Sequence, residues 1–190
     1  MNEKVKTEET EETEENQKFR LRSVVLDEDA MFLRRESEPV VLLESGQLDE
    51  ETQELIVAMK ELVLGKDALG LAAAQVGVLK RLFVMRKPFN SPPGHPLIVV
   101  VNPRLIRGGP KFSVRAEGCL SIDYFPDHIR GARVKRHSEI YVNYTDQNGA
   151  DHVDEILIGM DARVFQHELD HLNGKLMIDE PGFQGMERAY

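Results

Sequence analysis

The stretch F-Q-H-E-L-D-H-L, residues 165–172, decides how the rest of this 190-residue sequence is interpreted. On a helix, His167 and His171 are four positions apart and lie on one face, with Glu168 beside them. Two imidazoles at this spacing can bind one metal ion, and the acid between them can act as a general base. Because H-E-x-x-H arises by chance in roughly one sequence in a hundred of this composition, a further ligand is needed to establish a metal site.

A catalytic metal centre usually has three protein ligands, and two places in the sequence could supply the third. Downstream, Asp179 or Glu180 could serve, as an acid does in H-E-x-x-H endopeptidases. Upstream, the segment E-G-C-L-S at residues 117–121 contains the only cysteine, Cys119, on a turn preceded by glycine. A lone cysteine is more often a buried small hydrophobe, but a metal ion would deprotonate this thiol outright. The upstream candidate is favoured, and it leaves a fourth position open for water.

Two helices are predicted from hydrophobic periodicity and from residues typical of helix ends. Apolar residues recur at one face over residues 49–64, where Gly65 follows the last of them. The second helix, over residues 161–173, contains the two histidines. Asp161 is predicted as its N-cap and Gly174 as the residue that ends it.

Short strands are predicted between the two helices. The segments with strand character, separated by Pro, Gly and a D-Q-N-G turn at residues 146–149, are residues 82–85, 97–101, 140–144 and 153–158. This order predicts an α+β fold, with mostly antiparallel strands packed around a central metal-binding helix near the C-terminus and a scaffold helix near the N-terminus.

The formal net charge of −9 is unevenly distributed along the chain. Residues 1–17 contain seven Glu and two Lys, and are predicted to form a disordered acidic tail before a single domain over residues 18–190. No clustered Lys and Arg indicate a nucleic-acid partner. No apolar segment is long enough to span a membrane, and no secretory or transit signal is present, so we expect a cytoplasmic protein.

A third segment, G-L-A-A-A-Q at residues 70–75, combines small residues with a neutral amide donor, Gln75. Small residues allow close approach of another backbone. Runs of Gly and Ala are also common where helices pack tightly, so this segment alone indicates little.

Together the three segments resemble, in order, the signature motifs of the peptide deformylases, G-x-G-x-A-A-x-Q, E-G-C-L-S and Q-H-E-x-D-H. The resemblance covers about residues 45–180. It implies a metal-dependent hydrolase that removes the formyl group from N-formylmethionine at the start of nascent polypeptides. It also implies that Cys119, His167 and His171 bind one divalent ion, commonly Fe(II). Ligands of these types also accept Ni, Co and Zn.

The resemblance further implies roles for the residues around the metal. Glu168 would act as acid and base, while Gln75 and the backbone N–H of Leu120 would form the oxyanion hole. The residues implied to line the peptide or the methionine pocket are Leu69, Gly70, Gly118, Leu120 and Val164.

The sequence departs from the family pattern at four places. One is Asp123, which stands two residues after Ser121, where a Pro is commonest. Ala68 stands where a Gly is usual, which would strain the backbone if φ is positive there. The segment 123–133 is longer than usual, so Arg130 and Arg133 are both candidates for the substrate-contacting arginine. The chain ends without the long C-terminal helix by which some members bind the ribosome, so only transient ribosome contact is expected.

Two alternative functions are compatible with parts of this pattern. The first is an H-E-x-x-H endopeptidase with an acidic third ligand. The second is a non-catalytic deformylase-like binder, in which Ala68 and the longer loop have closed the pocket.

Overall fold

The computed structural model describes residues 19–24, 26–88, 97–122 and 131–179. Its helices are α1 (Asp27–Phe32), α2 (Glu50–Gly65) and α3 (Met160–Leu172), with 3-10 turns at Ala73–Val76 and Met177–Asp179. Its strands are β1 (Gly70–Ala72), β2 (Leu82–Met85), β3 (Ile98–Gly108), β4 (Phe112–Gly118), β5 (Gly131–His137), β6 (Glu139–Thr145) and β7 (Asp151–Ile158).

The strands form two antiparallel sheets. Five of them pair in the order β1-β2-β3-β6-β7, and β4 pairs with β5 in a separate two-stranded sheet. Helix α3 packs against both sheets, and α2 packs against β1 and β2. The predicted α+β class is therefore confirmed, with the histidine-bearing helix at the centre and α2 as the scaffold helix.

Strand β2 shows how the core is divided between the two long helices. Leu82 and Val84 pack in one apolar cluster with α2, whereas Phe83 and Met85 pack in another with α3. All four side chains are buried. A strand that is covered on both faces needs apolar residues at every position, which explains the uninterrupted L-F-V-M run.

Helix α3 begins one residue earlier than predicted and without the predicted cap. Gly159, with φ of +64°, occupies the N-cap position, and no side chain caps the helix. The prediction of Asp161 as N-cap is therefore wrong; this residue lies in the first turn, where a negative charge complements the helix dipole. Gly174 is confirmed just beyond the last turn with φ of +66°. A β-carbon there would lie 2.8 Å from the carbonyl carbon of Arg34.

All four predicted strands are present, and three of them are longer than predicted. Strand β2 has the predicted bounds, while β3 continues to Gly108. The predicted turn is confirmed, since the Gly149 N–H donates to the carbonyl of Asp146 at 3.1 Å and Gly149 has φ of +82°. Helix α1 and the strands β1, β4 and β5 were not predicted. The predicted acidic tail, residues 1–17, lies outside the described residues.

No helix within the described ranges is both long enough and apolar enough to cross a lipid bilayer.

Candidate metal centre

Helix α3 and the turn after β4 bring three metal-ligating side chains together. The Cys119 Sγ lies 3.3 Å from Nε2 of His171. One ligand atom from each of Cys119, His167 and His171 lies within 4.8 Å of the other two. Sulfur and nitrogen atoms that share a tetrahedral ion at ordinary bond lengths are about 3.3–3.6 Å apart. The donor set and its spacing therefore fit one divalent metal ion.

The acidic alternative for the third ligand is not supported by the geometry. Asp179 accepts two hydrogen bonds from the guanidinium of Arg34, at 2.9 and 2.7 Å. Within the part of the chain that the structure describes, the thiol and the two imidazoles are the group of this kind that is close enough to share an ion. Glu180 lies outside that part.

Glu117 orients the first histidine. Its Oε2 atom lies 3.0 Å from Nδ1 of His167, which leaves Nε2 of that ring to face a metal ion. Burial alone would raise the pKa of Glu117, but hydrogen bonds from His167 and Arg136 outweigh it and lower this pKa to about 2. Glu117 is therefore a carboxylate at neutral pH.

Two buried arginines hold Glu117 in place. Arg136 donates to both of its carboxylate oxygens at 3.0 Å and also pairs with Asp170 on α3. Arg163, on the first turns of α3, contacts the same carboxylate and donates to the carbonyl of Val134 at 3.0 Å. Neither arginine was predicted from the sequence as part of the site. The only signal was the acid two positions before the cysteine.

Glu168 lies in a space that only a glycine leaves open. Its side chain is 3% exposed, and its Oε2 atom has no hydrogen-bond partner among the described residues. A β-carbon on Gly70 would lie 2.9 Å from both Cγ and Cδ of Glu168. Burial raises the pKa of Glu168 to about 7, although the neighbouring His167 opposes this shift.

The amide of Gln75 is fixed towards the ligand group. Its Oε1 atom accepts the backbone N–H of Ala72 at 2.9 Å. Its Nε2 atom donates to Oγ of Ser121 at 3.2 Å and faces Sγ of Cys119 at 3.6 Å. A buried neutral donor therefore points at the metal ligands.

A cavity of about 310 Å³ opens beside these groups. One wall is the segment before β1 and the other is the end of β4. Of the residues singled out from the sequence, it is lined by Leu69, Gly70, Gln75, Gly118, Cys119, Leu120, Val164, His167 and Glu168. His171 belongs to the ligand group but does not line the cavity.

Two points raised by the sequence concern the segments that border the cavity. The residue with positive φ is Asp67, at +50°, and not Ala68, so the Ala68 backbone is not strained in the way considered. Arg133 is exposed on β5 opposite Ala116. Arg130 lies outside the described residues.

A buried H-E-x-x-H helix with a cysteine as third ligand, beside an open cavity, defines the class of metal-dependent hydrolases. The sequence profile described as "Polypeptide deformylase" matches residues 21–185. The chain therefore belongs to the polypeptide deformylase family, whose members remove the formyl group from nascent peptides.

Individual relatives agree with this assignment. The chain is 39% identical to the peptide deformylase of Thermotoga petrophila over 147 residues, 77% of this chain and 79% of that protein. It is 40% identical to that of Rhizobium meliloti over 147 residues, 77% of this chain and 78% of that protein.

Solved structures show the same fold. The peptide deformylase of Thermotoga maritima superposes with a TM-score of 0.70 at 36% identity, covering 86% of this chain and 98% of that one. A probable peptide deformylase from Synechococcus phage S-SSM7 gives a TM-score of 0.70 at 31% identity, covering 85% of this chain and 98% of that one.

Proposed function

We propose that Cys119, His167 and His171 bind one divalent ion, Fe(II), and that this site hydrolyses the formyl group of N-formylmethionyl peptides. The observation that carries the proposal is the convergence of the thiol and the two imidazoles beside the cavity. The iron assignment follows the family, since Ni, Co and Zn suit the same ligands. When bound, such an ion lowers the pKa of a coordinated water towards neutrality and polarises a carbonyl oxygen.

Glu168 moves the proton in this proposal. Its buried carboxylate has an oxygen with no partner among the described residues, and it borders the cavity. It accepts a proton from the attacking water and returns it to the leaving amine. The products are formate and a peptide with a free amino terminus.

Two neutral donors stabilise the oxyanion that forms on the formyl group. These are the side-chain amide of Gln75 and the backbone N–H of Leu120, and both residues border the cavity. Removing one donor of this kind typically lowers kcat by about 10²–10³-fold.

The peptide itself lies between the two cavity walls. Leu69 and Gly70 present one wall and Gly118 presents the other, so an extended peptide can bind in strand-like fashion. Leu120 and Val164 supply apolar surface for the methionine side chain.

The test is formate release from formyl-Met-Ala-Ser by protein purified without oxygen and loaded with Fe(II) or Ni(II). We expect turnover that Glu168→Ala and Glu168→Gln abolish while metal content stays unchanged. Metal bound in full without turnover would instead support the non-catalytic binder.

Cys119→Ser separates the deformylase from the endopeptidase alternative. An H-E-x-x-H endopeptidase with an acidic ligand would keep its metal and its activity after this change. The proposed site should lose bound metal, or exchange it for another ion, and lose deformylation. Metal content by atomic absorption, measured beside formate release, distinguishes the two.

The remaining expectations stay predictions. The division into a tail over residues 1–17 and one catalytic domain over residues 18–190 can be checked by limited proteolysis. Transient ribosome contact can be checked by co-sedimentation. The cytoplasmic location and the lack of nucleic-acid and membrane partners are predicted from composition alone.

A further inference from the structure

The β4–β5 sheet buries charged residues on one face and exposes apolar residues on the other. Glu117 and Arg136 are buried between this sheet and α3, where they pair with each other. Phe112 and Val114, by contrast, are 50% and 52% exposed. Exposed apolar residues that follow one strand face are typical of a surface that another molecule covers.

The register of the two strands defines this face. Residues directly opposite each other share a face, so Phe112 lies beside His137 and Val114 beside Lys135. Ala116 lies beside Arg133 in the same way. We call this face the outer stripe; it comprises an apolar row of Phe112, Val114 and Ala116 beside a basic row of Arg133, Lys135 and His137.

Direct contacts confirm that the two rows lie together. The Lys135 ammonium lies 4.6 Å from the centroid of the Phe112 ring. The His137 ring is 4.3 Å from the same centroid. Although the chain as a whole is acidic, the outer stripe therefore combines an apolar surface with cations.

The outer stripe is continuous with the candidate active site. Ala116 and Gly118 are on the same face and line the catalytic cavity next to Cys119. From Gly118 back to Phe112, β4 extends for about 20 Å. Strand β4 pairs with β5 along one edge, and no described strand pairs with its other edge.

We propose that the outer stripe binds the part of the formylated peptide that follows its first three residues, and that it favours acidic and apolar side chains there. This inference rests on the proposed function, because it requires the formyl group to lie at the metal centre. A peptide that leaves the cavity as an added strand antiparallel to β4 would place roughly its fourth to seventh residues along the stripe.

The arrangement favours a peptide over an RNA partner. The apolar side chains recur at every second residue of β4, which is the spacing at which alternate side chains of an extended peptide repeat. The row ends in the cavity that binds the start of the same peptide. The neighbouring cations supply charge complementarity for acidic side chains.

The experiment compares three substrates. Formyl-Met-Ala-Ser ends before the stripe. Two octapeptides extend this tripeptide at its C-terminus with either Asp-Leu-Asp-Leu-Gly or Lys-Leu-Lys-Leu-Gly. We expect the wild-type kcat/KM for the acidic octapeptide to exceed that for the basic one by about threefold to tenfold, and the ratio to fall as salt is added.

Lys135→Glu should reverse this ratio, and Phe112→Ser should lower kcat/KM for both octapeptides. Arg104→Glu, which changes an exposed cation on β3, is the matched control and should leave the ratio unchanged. The preference for the acidic octapeptide, and its reversal in Lys135→Glu, should also appear in binding measured by fluorescence anisotropy. Labelled, unformylated octapeptides are used, so this measurement does not depend on turnover.

Three outcomes would overturn the proposal. The first is a wild-type kcat/KM that does not depend on the charge of the octapeptides. The second is an equal change for all three substrates in Lys135→Glu. The third is a pair of variants that keep the peptide preference but lose binding to purified ribosomes, which would assign the outer stripe to ribosomal RNA. Failure to hydrolyse even the tripeptide would instead contradict the proposed function, and the anisotropy ratio would still test the stripe.

Discussion

The side chain of Glu168 occupies the space in which a β-carbon on Gly70 would lie. Such a β-carbon would be 2.9 Å from the Cγ and Cδ atoms of Glu168. Strand β1 and helix α3 therefore approach each other through a glycine. This contact places the buried acid at the cavity wall, because any larger residue on β1 would push the acid away from the metal ligands.

Gly70→Ala should reduce deformylation by about 10²-fold, because a displacement of about 1 Å at a catalytic group has an effect of that size. Formate release from formyl-Met-Ala-Ser measures it. Gly65→Ala is the control, since a β-carbon there meets nothing within 4 Å. Equal activity of the two variants would show that the position of Glu168 is not critical.

Glu117→Gln should weaken metal binding by about tenfold to a hundredfold, because the carboxylate that orients His167 becomes a neutral amide. It should also destabilise the fold by about 3–5 kcal/mol, since Arg163 loses its buried counter-charge and Arg136 keeps only Asp170. Chelator competition and urea unfolding measure the two effects.

The control for Glu117→Gln is Glu51→Gln. Glu51 forms an exposed ion pair with Lys80, and such a pair is worth at most about 1 kcal/mol. Unchanged metal affinity in Glu117→Gln, with the fold intact, would contradict the orienting role.

Arg86→Ala should loosen the wall of the cavity that precedes β1. The Arg86 guanidinium is nearly buried and donates to the Ala68 carbonyl at 2.9 Å and to Asp67 Oδ1 at 3.0 Å. We expect KM to rise about tenfold with a smaller change in kcat, because the bonds hold substrate-binding backbone and not the reacting groups.

Asp67→Asn is the control for Arg86→Ala, because Asn tolerates the positive φ at this position. It should keep KM near the wild-type value. Hydrogen exchange of residues 66–72 should speed up in Arg86→Ala only. A fall in kcat with constant KM would place the effect at the chemical step and contradict this prediction.

Asp29 should make the stability of the fold depend on acid pH. Burial alone would raise its pKa, but hydrogen bonds from Arg20 and Arg22 outweigh burial and lower it. Because the pKa is lower in the folded chain than in the unfolded chain, the carboxylate stabilises the fold above the unfolded value of about 3.9. This contribution is lost as the pH falls through the folded pKa.

Asp29→Asn should therefore cost about 2–3 kcal/mol at pH 7, and the difference from the wild type should shrink below about pH 4. Urea unfolding from pH 7 to pH 3 measures it. Asp27→Asn, two residues earlier in α1 and exposed, is the control. A difference that stays constant down to pH 3 would show that the charge of Asp29 is not what stabilises the fold.

The long elements that could be predicted from the sequence are ones whose inward-facing residues are mostly apolar. The run Leu82–Met85 and the periodic face of α3 could be recognised because burial selects apolar side chains at fixed spacing. The ligand types of the metal centre were equally accessible, since few side chains bind transition metals and two of the three lie on one helical face.

The β4–β5 sheet could not be predicted by the same reasoning. Its inward-facing residues include Glu117 and Arg136, whereas Phe112 and Val114 face outward. A buried charge is stable only when its partner is present, and these partners come from β4, β5 and α3. Helix α1 was missed for a similar reason, because its buried residue is Asp29.

The sequence by itself determined the class of fold, the helix that bears the two histidines and the chemical types of the metal ligands, because these follow from local periodicity and side-chain chemistry. Only the tertiary structure decided that Cys119 and not Asp179 lies with the histidines, and that Glu117 orients one of them. These contacts join residues about 50 positions apart in the chain. Long-range contacts of this kind depend on how the strands and the helix pack against each other. Local residue patterns do not predict that packing.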